Sequence, residues 1–176
     1  MKTIYRFSGI TVIMLTSFCA GAQTANGTGS SDYKTAVGIR AGGTSGLTFK
    51  RFTGSGNAFE VIAGAWSYGF SVTGLYERHA NAGAPGLNWY YGGGAHVAAE
   101  TGWVYYRNYY YDRRYDYFYR AGNDFGIGVD GIIGLEYKIK PIPFAVSLDL
   151  KPFVEVNTAG GAYLGFDPGL GIKVAF

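Results

Sequence analysis

Apolar and small or polar residues alternate over the last twelve positions of the chain, 165–176. Five large apolar side chains share one parity: Phe166, Leu170, Ile172, Val174 and Phe176. After Pro168, the other parity carries only Gly169, Gly171, Lys173 and Ala175. Because successive side chains of a β-strand point to opposite faces, this pattern predicts a strand with one apolar and one small or polar face.

The same alternation recurs in seven earlier segments. They are residues 33–42, 47–52, 58–66, 69–79, 88–98, 125–138 and 144–156. Each has about the length that a tilted membrane strand requires. With the terminal strand they predict an all-β fold, an eight-stranded antiparallel up-and-down transmembrane β-barrel that occupies one domain, 33–176.

The charged residues of these segments fall on the face opposite to the large apolar side chains. They are Arg40, Lys50, Glu60, Glu77, Asp130, Glu136, Asp149, Lys151 and Lys173. A five-residue turn places Lys50 opposite Glu60, and a later turn over 139–142 places Asp130 opposite Lys151. Unpaired buried charges are costly, and eight strands leave an interior just wide enough for side chains. We therefore expect ion pairs to fill the barrel.

The connections predict an orientation. In an eight-stranded outer-membrane barrel both termini and the short turns lie on the periplasmic side, and the longer loops face outward. The short turns are 53–57, 80–87 and 139–143, and the longest connection is 99–124. Aromatic residues near the periplasmic ends of the apolar face form a predicted girdle: Tyr33, Phe59, Tyr76, Trp89, Tyr91, Tyr137, Phe144 and Phe176.

The first 22 residues predict a cleavable secretory signal, with a basic start, an apolar centre and a small-residue site. Cleavage after Ala22 is favoured over lipid attachment at Cys19, which follows the bulky Phe18. Cleavage leaves a polar leader, 23–32, and removes the only Cys, so that disulfides and thiolate metal sites are not expected.

Composition and charge narrow the class further. Loss of the signal lowers the number of Lys and Arg residues from 15 to 13, against 12 Asp and Glu. A chain so close to neutral gives no electrostatic reason to expect nucleic-acid binding. The 29 Gly, 16 Tyr and 12 Phe suit β-hairpins and aromatic girdles. No other run of eighteen apolar residues exists, which excludes a helical membrane protein.

The longest connection contains a Tyr- and Arg-rich segment, 104–120. Its candidate binding residues are Tyr105, Tyr106, Arg107, Tyr109, Tyr110, Tyr111, Arg113, Arg114, Tyr115, Tyr117, Tyr119 and Arg120. Tyr and Arg offer contact area, stacking and bidentate hydrogen bonds, which suits an extracellular glycan, a lipopolysaccharide phosphate or a partner protein. The alternation there is also compatible with a hairpin that extends the sheet and exposes an edge to partner strands.

These features resemble the small eight-stranded outer-membrane proteins, the OmpX-like and OmpA-barrel-like group, including uncharacterised barrels of the Bacteroidetes type. The resemblance implies a bacterial outer-membrane location and contact with outer-membrane lipid and lipopolysaccharide. It also implies that the barrel assembly machinery reads the terminal strand, here through Leu170, Ile172, Val174 and Phe176. The family supplies a fold and a location but no mechanism.

Two motifs suggest chemistry that the pattern does not favour. Gly126, Gly128 and Gly131 match the dinucleotide fingerprint, which requires a strand to end and a helix to begin, whereas the alternation here continues to residue 137. His79 and His96 lie at different heights of one predicted hairpin, so they cannot share a metal ion. We expect them to be satisfied interior residues, with no cofactor and no metal.

An enzyme is not expected. Lipid A deacylases of similar size carry a His-x-Ser pair, and neither His79 nor His96 is followed by that Ser. The expected role is envelope structure, surface interaction or adhesion. The alternatives are a small porin-like solute channel, in which Gly92, Gly94, Gly126, Gly128, Gly134 and Gly171 leave the lumen open, and a lipid A-modifying enzyme.

Overall fold

The computed structural model describes residues 33–54, 56–66, 69–103, 121–158 and 162–176. The predicted signal and leader, 1–32, lie outside these residues. Eight strands are present: β1 (Thr35–Gly42), β2 (Ser45–Gly54), β3 (Asn57–Trp66), β4 (Gly69–Asn81), β5 (Leu87–Trp103), β6 (Ala121–Ile139), β7 (Phe144–Asn157) and β8 (Ala162–Ala175). Each strand pairs antiparallel with the next, and β8 closes on β1. The prediction of an all-β, eight-stranded, up-and-down barrel is confirmed.

The barrel has an apolar exterior and a polar interior. In β4, Phe70 and Tyr76 are each 56% exposed, whereas their neighbours Ser71 and Glu77 are 6% and 0% exposed. Large apolar side chains of every strand lie on the outside, and the buried set is mainly charged and hydroxyl-bearing. This is the reverse of the distribution in a water-soluble barrel.

The two ends of the barrel differ, and we name them by what they hold. The terminal end holds Tyr33, Phe176 and the turns β2–β3, β4–β5 and β6–β7. The hairpin end is the opposite one, where β5 and β6 pair with each other out to Trp103 and Ala121. At the terminal end the β4–β5 turn is tight, and Gly83 and Gly86 adopt positive φ angles of 91° and 81°, which favour glycine.

The predicted register of β6 against β7 is wrong by two residues. Asp130 lies opposite Phe153, not Lys151, and the last pair before the turn is Ile139 with Phe144. The predicted turn would have placed Pro143 in the ladder. Proline has no N–H to donate, so pairing begins at Phe144 instead. The turn is therefore 140–143.

The predicted connection 99–124 is too long. β5 continues through residues 99–103 and β6 begins at Ala121, so both ends of that connection are strand. The candidate binding residues between 105 and 120 lie outside the described residues. No helix in the described part of the chain is long and apolar enough to cross a membrane.

Candidate functional site in the barrel interior

The structure places all nine predicted interior charges inside the barrel. Each is at most 7% exposed, and each has an ion-pair partner of opposite sign. Together with Asp167, Glu155 and His96 they form two groups, one toward each end of the barrel. We call them the Lys50 cluster (Lys50, Lys173, Glu60, Glu77 and Glu136) and the Arg40 cluster (Arg40, Lys151, Asp130, Asp149, Asp167, Glu155 and His96).

The Lys50 cluster surrounds one ammonium group at the terminal end. Lys50 Nζ lies 2.9 Å from Glu60 Oε2, 2.8 Å from Glu77 Oε2 and 3.3 Å from Glu136 Oε2. Lys173 Nζ adds contacts of 2.9 Å to Glu60 and 3.5 Å to Glu136. Two cations therefore hold three carboxylates across the lumen, and both partners of every pair are almost completely buried.

Aromatic rings close the interior beside this cluster. Ring centroids lie 5.1 Å apart between Tyr33 and Phe52, 4.8 Å between Phe52 and His79, and 4.8 Å between His79 and Tyr90. Lys50 Nζ lies 4.3 Å from the centroid of the Tyr90 ring. This aromatic stack fills the space that the ion pairs leave at the terminal end.

Tyr33 corrects one expectation about the girdle. Its ring is buried, and its hydroxyl donates a hydrogen bond to Glu136 inside the barrel. Tyr33 precedes the first ladder residue, Thr35, so strand parity does not fix its direction. The other predicted girdle residues are exposed or half-buried on the exterior.

The Arg40 cluster occupies the half of the interior toward the hairpin end. Arg40 Nη2 lies 2.7 Å from Asp149 Oδ1, and Arg40 Nη1 lies 2.9 Å from Asp167 Oδ2 and donates to the Thr44 carbonyl at 3.0 Å. Lys151 Nζ lies 3.0 Å from Asp130 Oδ1, so this predicted pair forms diagonally despite the register error.

His96 lies between two carboxylates in the same cluster. Its Nδ1 is 2.8 Å from Asp130 Oδ2 and its Nε2 is 2.9 Å from Glu155 Oε2. His79 contacts the Lys50 cluster instead, with Nε2 2.9 Å from Glu77 Oε2. The two His are thus in separate environments, and no group of His, Cys, Asp and Glu in the described ranges is arranged to hold a metal ion.

The interior glycines face side chains rather than an open channel. A Cβ added to Gly128 would lie 2.3 Å from His96 Cε1, and one added to Gly126 would lie 2.6 Å from the Glu155 carboxyl carbon. Gly134 faces the Tyr90 ring in the same way, and Gly171 faces the Ser147 hydroxyl. Gly92 and Gly94 abut the backbone of β4. Gly126, Gly128 and Gly131 all lie within β6, which continues as a strand to Ile139. The helix that a dinucleotide fingerprint requires therefore does not begin after them.

A cavity of about 230 Å³ lies at the hairpin end. Trp66, Phe153 and Phe166 supply apolar walls, and Glu100 and Glu155 supply carboxylates. Its lining also includes His96 and Lys151, which belong to the Arg40 cluster. The cavity therefore ends on ion-paired side chains.

Sequence reasoning missed several members of these clusters. Asp167 and Glu155 share strand parity with Lys173 and Lys151 respectively, so the period of two was a sufficient signal for both. Nothing in the local pattern indicates the inward direction of Tyr33. The residues of the predicted assembly signal, Leu170, Ile172, Val174 and Phe176, are all exposed on the outside of the barrel.

Fold and interior together define a class: a closed eight-stranded up-and-down barrel with a charged, filled interior and an apolar exterior. Comparison of the chain with protein-family models, with curated proteins and with solved structures gave no match.

Proposed function

We propose that this chain is an integral barrel of the bacterial outer membrane, OmpX-like in build, that serves envelope structure and surface interaction rather than catalysis. The observation that carries the proposal is the inverted polarity of the barrel. Ile127, Val129 and Leu148 are 60–64% exposed on the outside, while charged residues fill the inside. Lipid is the solvent in which such an exterior is stable.

The filled interior supports a structural role over a solute channel. The aromatic stack lies beside the Lys50 cluster at the terminal end, the Arg40 cluster occupies the half toward the hairpin end, and Tyr90 links the two through a 3.2 Å hydrogen bond to Asp149. A conducting path would need several buried ion pairs to separate, and each separation is costly. We therefore expect no large, stable single-channel conductance from the purified protein.

The hairpin end supports a role in surface interaction. Among the described residues, 101–103 and 121–123 pair only with each other, beyond the last pair that β5 makes with β4 at Glu100. The described ends of β5 and β6 thus extend past the described ends of their neighbours, and in the sequence they flank the Tyr- and Arg-rich segment. A glycan, a lipopolysaccharide phosphate or a partner protein is the expected ligand of that segment.

The test of membrane insertion uses Val129→Lys. In a lipid-embedded barrel a Lys at mid-height costs about 2–4 kcal/mol of unfolding free energy, whereas on a water-facing surface the change is nearly neutral. Urea titration of the protein folded in phospholipid vesicles measures the difference. Thr53→Lys, in an exposed position at the terminal end, is the matched control. Equal stability of both variants and the parent would refute the membrane proposal.

The test of surface interaction replaces 104–120 with a short Gly/Ser turn. Heat-modifiable gel mobility first confirms that both proteins are folded, and partners are then recovered from outer membranes with each. Loss of a glycan or protein partner with the segment supports the binding role. Unchanged recovery contradicts it, and altered lipid A acylation on overproduction would instead indicate an enzyme.

A further inference from the structure

Acidic and basic side chains are distributed very differently between the inside and the outside of the barrel. Within the described ranges, every side-chain carboxylate except that of the half-buried Glu100 is buried in the interior. Four cations are buried with them, and the remaining five are at the surface. We call these five the basic ring: Lys34, Arg51, Arg78, Lys138 and Lys140.

The whole basic ring lies at the terminal end. Lys34 directly precedes β1, and Arg51 pairs with Thr35, the first residue of that strand. Arg78 pairs with Asn57, the first residue of β3. Lys138 and Lys140 lie at the β6–β7 turn, where the backbone N–H of Lys138 donates to Gly86 of the neighbouring turn. Four separate parts of the chain thus bring cations to one end.

The basic ring begins where the apolar exterior stops. On the outer face of β2 the order toward the terminal end is Leu47, Phe49 and Arg51. On β4, Tyr76 is followed on the same face by Arg78, which lies opposite Tyr91. Tyr91 stacks on Trp89 with a centroid distance of 5.2 Å. Apolar, aromatic and then basic is the order of environments from hydrocarbon to headgroup at a bilayer surface.

Three cations of the ring have no acidic side chain beside them. Lys34, Arg51 and Arg78 have no ion-pair partner among the described residues, since the described side-chain carboxylates other than Glu100 lie in the interior. Lys138 Nζ donates to the carbonyls of Ile139 and Ile142, at 3.2 and 2.7 Å, and neither of these acceptors carries a net charge. Guanidinium and ammonium groups in this setting match phosphate in charge and hydrogen bonding.

We propose that the basic ring binds the phosphate headgroups of anionic phospholipids in the leaflet that surrounds the terminal end. This rests on the proposed membrane insertion, because the ring meets headgroups only if the apolar exterior is in lipid. The described residues of the hairpin end include no such ring. The only charged side chain among them that is partly exposed is Glu100. Among the described residues the exterior charge is therefore asymmetric, and at the terminal end it favours anionic lipid.

The experiment uses Trp89 as a reporter, because it lies beside the basic ring in the aromatic pair with Tyr91. Trp66→Phe and Trp103→Phe leave Trp89 as the single Trp. The protein is folded into phosphatidylcholine bilayers that contain either brominated phosphatidylglycerol or brominated phosphatidylcholine. Since bromine quenches Trp on contact, the ratio of quenching reports which lipid is enriched around the ring.

We expect stronger quenching by the anionic lipid, and a preference that falls about fivefold for each neutralised cation that contacts a headgroup. Arg78→Gln removes the charge opposite Tyr91, the ring stacked on the reporter, and Arg78→Lys keeps a charge there as the matched control. Half-molar salt should reduce the preference of both the parent and Arg78→Gln, and should narrow the difference between them. If the single-Trp protein fails to fold, native mass spectrometry of the parent and Arg78→Gln counts the anionic lipids retained.

The outcomes separate this proposal from the one it rests on. No quenching by either brominated lipid means that the barrel is not inserted, and both proposals fail. Equal quenching by both lipids means that the barrel is inserted but the ring has no headgroup preference, and only the lipid proposal fails. If both lipids quench equally while the inserted parent binds inorganic phosphate and Arg78→Gln does not, the ring is a site for free phosphate, and the assignment to lipid is overturned.

Discussion

The Lys50 and Arg40 clusters both pair buried charges inside a narrow barrel, but they differ in their access to water. The Lys50 cluster is sealed by aromatic rings, and its central ammonium is 0% exposed. The Arg40 cluster ends on an open cavity of about 230 Å³. Water can solvate the second when a partner is lost, but it has no comparable access to the first. Removal of a charged partner should therefore lower the unfolding free energy more at the terminal end than at the hairpin end.

The small residues opposite the two clusters differ as well. In the Lys50 cluster they include alanines: Lys50 lies opposite Ala36, Glu77 between Ala58 and Gly92, and Lys173 between Ala145 and Gly38. In the Arg40 cluster they are glycines: Arg40 lies opposite Gly171, His96 opposite Gly128 and Asp149 opposite Gly169. A Cβ added to Gly169 would lie 2.3 Å from Arg40 Cζ, and one added to Gly128 would lie 2.3 Å from His96 Cε1, so glycine is what leaves room for these two side chains.

The largest effect is expected from Lys50→Met. The substitution leaves Glu60, Glu77 and Glu136 facing one another with only Lys173 to neutralise them. Breaking a buried ion pair in this way costs about 3–5 kcal/mol. Urea titration in vesicles, with gel mobility as a check of folding, measures the loss. Lys34→Met, which removes an exposed cation, should leave the stability almost unchanged.

The second effect tests the glycine partners. Gly128→Ala places a methyl group 2.3 Å from His96 Cε1 and 2.6 Å from the Val154 carbonyl oxygen. Overpacking of this kind costs about 1–3 kcal/mol. Gly74→Ala is the control, because its Cβ meets nothing closer than Phe59 Cζ at 3.7 Å. Equal melting temperatures for the two variants would show that the Arg40 cluster rearranges around the added methyl group without loss of stability.

The polarity of the barrel follows from a period of two, and that is why it could be predicted from the sequence, whereas its closure was expected from the resemblance to eight-stranded outer-membrane proteins. The turns could not be predicted as well, because turn length depends on which residues can join the ladder. Pro143 cannot, and that displaced the β6–β7 register by two residues. Tyr33 lies outside the ladder, so only its contact with Glu136 in the folded barrel reveals its inward direction.

The basic ring escaped sequence analysis for a different reason. Arg51 and Arg78 share parity with the apolar exterior, and Lys34, Lys138 and Lys140 lie at strand ends where parity carries little information. Each looks unremarkable in its own segment. Their common position becomes visible only when the register brings four parts of the chain to one end. Interior clusters have the same property, since no single strand contains a complete one.

The third prediction compares the two clusters directly. Lys151→Met removes the cation that joins Asp130, at 3.0 Å, to Asp167, at 3.6 Å. Lys151 lines the cavity, so water can reach the carboxylates left behind. We expect a loss of about 1–2 kcal/mol of unfolding free energy, clearly below that of Lys50→Met. Equal losses would mean that both clusters are equally sealed.

The smallest effect is expected from His96→Gln. The ring bridges Asp130 and Glu155 through its two nitrogens, and a Gln amide can donate to one of these carboxylates but not span both. Because Glu155 also borders the cavity, water replaces the lost bond, and the cost should be about 1 kcal/mol. Urea titration of His96→Gln and Lys50→Met under the same conditions compares their losses of unfolding free energy. A loss from His96→Gln that equals the loss from Lys50→Met would contradict the view that the hairpin end is hydrated and the terminal end is sealed.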